Sequence, residues 1–157
     1  MLPPLALTYL VTSLEGHIAV FPHLLGELGG DDPRWDARPD AERFSLREVV
    51  AHLAAVEPLW LERAYLTRDQ DHPLFPPVVP VAVAAQEGAT AFTAAENLAR
   101  FCATRAQYVA VLRDLAAEQW QRPAESQALG TLTIEPQAVF VLAHDGYHLK
   151  QIIEWLA

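Results

Sequence analysis

Residues 144 to 152 read HDGYHLKQI, with His144 and His148 four positions apart. In a helix of 3.6 residues per turn that spacing sets two side chains about 40° apart on one face, close enough to ligate one divalent ion. Val141 and Ile152 share the same arc of the helical wheel, so the imidazoles point toward a core rather than solvent. His52 has similar company, with Val49 and Val56 about one turn to either side and Trp60 beyond. A buried polar group left unsatisfied costs roughly 1–3 kcal/mol. A single divalent cation would satisfy all three imidazoles, and three protein ligands with an open fourth position is the arrangement of catalytic zinc. The competing reading is three ordinary core histidines with local hydrogen bonds.

Other chemistry-bearing residues carry less. His17 lies on the apolar seam of the first helix, as a core histidine, a fourth ligand or a group supporting a ligand. His23 and His72 are expected in solvent. Asp145 and Gln151 flank the His144–His148 pair and are either orienting partners for an imidazole N–H or plain polar positions. Glu57 lies about 140° around its helix from His52 and is not expected to share a metal with it. The capping position of Glu48 already explains it. Tyr147 suits a helix or subunit contact, and Trp155 is either an interface anchor or a simple core residue. Cys102 shares a face with Phe101 and Val109 and reads as core. The chain has no P-loop, GxGxxG, CxxC or nucleophile elbow.

Four helices must position these groups. The first is expected from Leu5 to Leu28, with Pro22 bending or splitting it and Gly29-Gly30 at its exit. Ser45-Leu46-Arg47-Glu48 is a capping box that opens a helix to about Thr67, and Thr93-Ala94-Ala95-Glu96 opens another to about Glu118. The last begins near Thr133, tolerates Pro136 in its first turn and runs to the C-terminus. Residues 68–92, including the four prolines of DHPLFPPVVP, are expected to be extended or irregular, with at most a short turn, and could cover a cleft. VPVAVAA is the one weak strand candidate. The class is all-α: a four-helix bundle in one domain spanning residues 1–157.

Composition narrows the setting. A net charge of -9 argues against nucleic acid and anionic membranes as partners. One cysteine cannot close an internal disulfide, which fits a reducing, cytoplasmic location. No run of 18 apolar residues predicts a membrane span, and no secretory signal is visible.

The capped helix SLREVVAHLAAVE, the segment RDLAAEQWQRPAE and the stretch GTLTIEPQAVFVLAHDGYHLKQI together resemble the DinB-like (damage-inducible) metalloprotein superfamily. The resemblance runs from about residue 45 to the end and more loosely over the first helix. It implies an up-up-down-down four-helix bundle, often a homodimer, with a divalent metal, zinc or nickel foremost, on His52, His144 and His148. Tyr147 stands where many relatives have a further histidine. The superfamily includes transferases and isomerases that use bacillithiol, mycothiol or glutathione. The expected activity is therefore metal-dependent transfer of a low-molecular-weight thiol to a small electrophile, or a hydrolase-like reaction. A non-catalytic metal-binding stress protein and a degenerate helical scaffold are the alternatives, since fold alone does not fix function.

Overall fold

Two capping boxes set where the central helices begin. Ser45 Oγ accepts the Glu48 N–H at 3.3 Å while the Glu48 carboxylate accepts the Ser45 N–H at 2.9 Å. Thr93 and Glu96 repeat the exchange at 3.2 and 2.7 Å. Each box satisfies two N–H groups that the helix itself leaves unpaired. In the computed structural model, which describes residues 2–75, 81–127 and 130–157, they open α2 (Leu46–Asp69) and α4 (Ala94–Asp114). The other helices are α1 (Pro4–Leu25), α3 (Val81–Ala91) and α5 (Ile134–Leu156). Thr133 occupies the expected cap position of α5, but its side chain makes no capping hydrogen bond.

α1 ends three residues earlier than expected, at Leu25, because Gly26 caps it by donating its N–H to Pro22 O at 2.8 Å. Pro22 has no N–H for the Ile18 carbonyl one turn back. Cys102 Sγ, reaching across from α4, lies 3.5 Å from that carbonyl and donates to it. Burial pushes the thiol pKa up, so Cys102 is the packing residue its sequence context indicated. By length and a mean hydropathy of 1.2, α1 would pass for a membrane span. In the bundle its buried stripe is Leu10, Val11, Leu14, Phe21 and Leu25, and Glu15 pairs with Arg113 of α4.

Two expectations are corrected. The segment 68–92 is not irregular throughout, because α3 occupies 81–91 and includes most of the supposed strand VPVAVAA. Residues 76–80, with the rest of that candidate, lie outside the described residues. The prolines precede an alanine-rich run, and proline ahead of a helix is tolerated where it is not tolerated within one. α3 lies close on α2: a Cβ at Gly88 would sit 3.3 Å from Ala51 Cβ. The segment read as a loop after α4 also holds a small hairpin. β1 (Ala124–Ser126) pairs antiparallel with β2 (Gly130–Leu132), and Gly130 takes a φ of 70° that suits glycine. Phe75 N–H and Glu125 N–H exchange bonds with Glu125 O and Pro73 O, at 2.9 and 2.8 Å, tying the end of the α2 extension to β1.

Contacts between helices fix their directions. Leu2 and His17 bond Glu135 and Asp145, so α1 and α5 run the same way. Glu15 meets Arg113 and Ile18 meets Cys102, so α4 runs against α1. Phe44, just before α2, meets Gln151 near the end of α5, so α2 runs against α5. The expected four-helix bundle is present. Along the chain its long helices run up, down, down, up, a re-ordering of the up-up-down-down sequence. The α2–α4 connection, with α3 in it, is long enough to return the chain to the end where α2 began.

The apolar core falls into two clusters. One holds Leu14, Trp60, Tyr108, Leu112 and Val141, and the other Phe21, Leu53, Phe101 and Ile152. Between them lies a polar layer centred on Arg105, which is fully buried. Its Nε and Nη2 donate to Glu57 at 2.5 and 2.8 Å, its Nη1 and Nη2 to Asp145 at 2.5 and 3.1 Å, and Nη1 also to Leu14 O at 3.3 Å. All five guanidinium N–H donors are used. Removing one partner of such a buried set strands the others, at about 3–5 kcal/mol. Arg105→Met is therefore expected to lower unfolding free energy by about that much in urea titrations. A change within 1 kcal/mol, on the order of a surface substitution, would show the layer to be dispensable.

Candidate metal centre

α2 and α5 run antiparallel with inward faces that meet beside the polar layer. The 3.6-residue repeat that buries Val49, Leu53 and Val56 also turns His52 inward, and Val141 and Ile152 bracket His144 and His148 on α5. The three imidazoles converge. His52 Nε2 and His144 Nε2 are 2.7 Å apart, and ring centroids within the trio lie 4.6–4.9 Å from one another. One ring nitrogen from each lies within 4.8 Å of the others. His52 and His148 are each only 4% exposed. Among the described residues, the Nδ1 of each ring is buried without a hydrogen-bond partner.

This is a donor set suited to a cation. His52 and His144 face each other across one shared proton, with a His148 nitrogen close by, and a divalent cation in that proton's place would take a lone pair from each ring. Burial pushes the His52 pKa down to about 3, assisted by His148 and His144. Burial, then His144, brings His148 to about 4, against a smaller upward effect from Gln151. Both are neutral near pH 7, the state in which imidazole binds metal. Of the sequence candidates, these three come together. His17 does not join them: its Nδ1 bonds Asp145 Oδ2 at 2.7 Å on the far side of the polar layer. His23 and His72 are exposed, as expected.

Asp145 connects the layers. It takes hydrogen bonds from Arg105 and His17, and its Oδ1 lies 3.8 Å from His144 Nδ1. Burial alone would raise its pKa, but the His144 and His17 imidazoles and Arg105 beside it hold the carboxyl well below the usual range. Glu57 is pushed up by burial, which its bonds to Arg105 only partly offset. Glu57, Arg105 and Asp145 thus bring two carboxylates and one guanidinium behind the histidines, a surplus of negative charge that favours a cation there. Gln151 donates to Phe44 O at 2.6 Å. Trp155 also donates to that carbonyl, at 3.1 Å, and stacks under Arg43 rather than standing free.

The other side of the trio opens into a cleft of about 500 Å³ with largely apolar walls, including Phe44, Leu59, Trp60, Phe140 and Tyr147. Arg43, paired with Glu154 at 2.9 Å, and Arg63 line it as well. Sequence reasoning missed Arg105 and Arg63 as functional groups. The available signal was an arginine on an otherwise apolar helical face: Arg105 between Phe101 and Val109, Arg63 one turn from Trp60.

A family model described as the DinB superfamily matches residues 13–152. No curated protein matches the sequence. Among solved structures, YfiT from Bacillus subtilis superposes with a TM-score of 0.87 at 20% identity, covering 99% of this chain and 88% of that one. That structure is described as a probable metal-dependent hydrolase with an unusual four-helix bundle topology.

The depressed His52 and His148 pKa values have a sign. Between about 6.5, the unfolded value, and about 3–4 the unfolded chain binds more protons than the folded one. The stabilisation is complete above the unfolded value and is lost as pH falls through this window. Metal-free protein is expected to lose up to about 2 kcal/mol per histidine between pH 7 and 5 in urea titrations. The double variant His52→Phe/His148→Phe should lose much less over the same range. Equal losses would show that the two imidazoles are not buried neutral.

Proposed function

We propose that this chain, which belongs to the DinB superfamily, binds a divalent metal through His52, His144 and His148 and uses it to activate a nucleophile. The nucleophile is a low-molecular-weight thiol of the bacillithiol, mycothiol or glutathione type, and it is transferred to a small electrophile held in the cleft. The observation that carries this reading is the convergence of three imidazoles, those of His52 and His148 buried and that of His144 half-buried, at the floor of an open 500 Å³ cleft. A bound divalent ion supplies Lewis acidity and lowers the pKa of a thiol or water beside it. The chain's own residues do the rest. Asp145 and the Arg105 network hold the α5 backbone and His144 in place, and Gln151 anchors the loop before α2. The Phe44, Trp60 and Phe140 walls keep water from an apolar substrate. Zinc and nickel are the metals proposed first, since imidazole ligands suit both.

A second reading uses water as the nucleophile. It is favoured by the likeness to YfiT, described as a probable metal-dependent hydrolase, and by the same cleft. In a third, the metal only stabilises the bundle. The protein is further proposed to be a cytoplasmic homodimer. Large apolar side chains support the dimer: Leu5 and Tyr9 of α1 and Val139, Tyr147 and Ile153 of α5 are 45–66% exposed. Sedimentation velocity is expected to give twice the chain mass, and a monomer at micromolar concentration would remove that proposal.

Elemental analysis of purified protein is expected to find about one zinc or nickel per chain, lost in His148→Ala. With cobalt in the site, added glutathione should shift the visible absorption bands. Unchanged bands would turn the proposal to water as nucleophile. A large fall in melting temperature on chelation, with no small molecule bound, would favour the purely structural metal. No metal in either protein, even after incubation with zinc, would overturn the metal reading itself.

A further inference from the structure

Arg63 is a cation with no ion-pair partner among the described residues. It is 4% exposed. Its guanidinium makes no hydrogen bond or ion pair with any described residue, and its Nε is buried and unpaired. It is sandwiched between rings, with Cζ 5.2 Å from the Trp60 centroid and 4.9 Å from that of Phe75. The carboxylate next to it in sequence, Glu62, is exposed and forms no ion pair with it. Arg105 shows how this chain normally treats a buried guanidinium, with every N–H taken. Charged groups are almost never fully buried unless paired, and an unpaired one is costly.

Beside it two more buried donors, Trp60 Nε1 and Gln137 Nε2, have no partner among the described residues. Trp60, Arg63 and Gln137 all line one cavity of about 340 Å³ between α2, β2 and the start of α5. That cavity is not the histidine cleft, but it adjoins it: Trp60, Arg63 and Phe140 line both. Three convergent donors, one of them cationic, with no acceptor among the described residues, form an incomplete hydrogen-bonding set. A planar anion with two oxygens completes it, because a guanidinium offers parallel N–H groups to a carboxylate.

We infer that Arg63, Trp60 and Gln137 form a subsite for an organic carboxylate whose apolar body lies along Trp60 and Phe140 and whose other end reaches the histidine cleft. This rests on the proposed function only for what happens at that far end; the anion subsite itself needs no metal. It narrows the ligand to an acid with an apolar or aromatic stem between its carboxylate and its reacting atom. The carboxylate could be carried by the thiol or by the molecule the thiol attacks.

The test is binding of 3-phenylpropionate and 3-mercaptopropionate, measured by calorimetry on the metal-free and the zinc-loaded full chain. The amide of phenylpropionate serves as the neutral control. The metal-free wild type is expected to bind phenylpropionate and not its amide. Arg63→Gln should weaken binding roughly tenfold or more, and Gln137→Leu by a smaller factor. Arg63→Lys keeps the charge without the fork and should fall between. Melting curves identify any variant that has not folded. A gain for 3-mercaptopropionate alone on zinc loading assigns the carboxylate to the thiol. The same acid-over-amide preference without that gain assigns it to the thiol's target. Binding unchanged in Arg63→Gln, an amide as tight as the acid, or no binding of either acid at about 10 mM would overturn the subsite. If zinc is not taken up but the acids still bind through Arg63, the metal reading fails and the subsite stands.

Discussion

One guanidinium holds the bundle in register. Arg105 of α4 reaches Glu57 of α2, Asp145 of α5 and the Leu14 carbonyl of α1, so all four long helices meet at a single planar group. Apolar packing alone is tolerant, since cores accept many side-chain arrangements of similar volume. A bidentate pair is not, because its N–H and oxygen positions are fixed to within a few tenths of an ångström. Sliding α5 by one turn along α2 would part Asp145 from Arg105, and it would also part His144 and His148 from His52. The clamp and the histidine trio therefore share one register, set by Asp145 immediately after His144.

The charge pattern around the cleft follows from the same layer. Behind the histidines stand two carboxylates against one arginine. On the cleft's other flank stands Arg63, which forms no ion pair with a carboxylate among the described residues. A cation is favoured at one end and an anion at the other, across a short apolar span of Trp60 and Phe140. An elongated polar-ended molecule entering such a site is oriented before any chemistry begins, and fixed orientation is a large part of what a binding site contributes to rate.

How much of this the sequence discloses depends on whether a feature is local. The histidine trio was legible because each imidazole had apolar neighbours at helical spacing. The capping boxes of α2 and α4 were legible because four residues contain the whole signal. Glu57 was set aside on its angle from His52, which holds for the metal but hides its bond to Arg105, 48 positions away. Helix direction was out of reach, because periodicity reports which face is buried and not which way a helix returns. α3 was hidden by reading prolines as a veto when they stand ahead of it, and β1 and β2 are three-residue strands whose pairing has no periodic signal.

The helix order has a consequence for how the protein is made. α1 and α5, neighbours in the finished bundle, are joined through contacts such as His17–Asp145 that close a loop of 128 residues. Long-range contacts of this kind form late and slowly. On the ribosome, α1, α2 and α4 emerge with Arg105 and Glu57 able to pair, while the second carboxylate and two of the three imidazoles are still to be synthesised. A nascent chain held at that stage has a half-built charged layer and one open apolar seam where α5 belongs, the kind of exposed surface that chaperones shield. Arrival of α5 closes the seam, occupies the remaining Arg105 donors with Asp145 and completes the trio in one docking event.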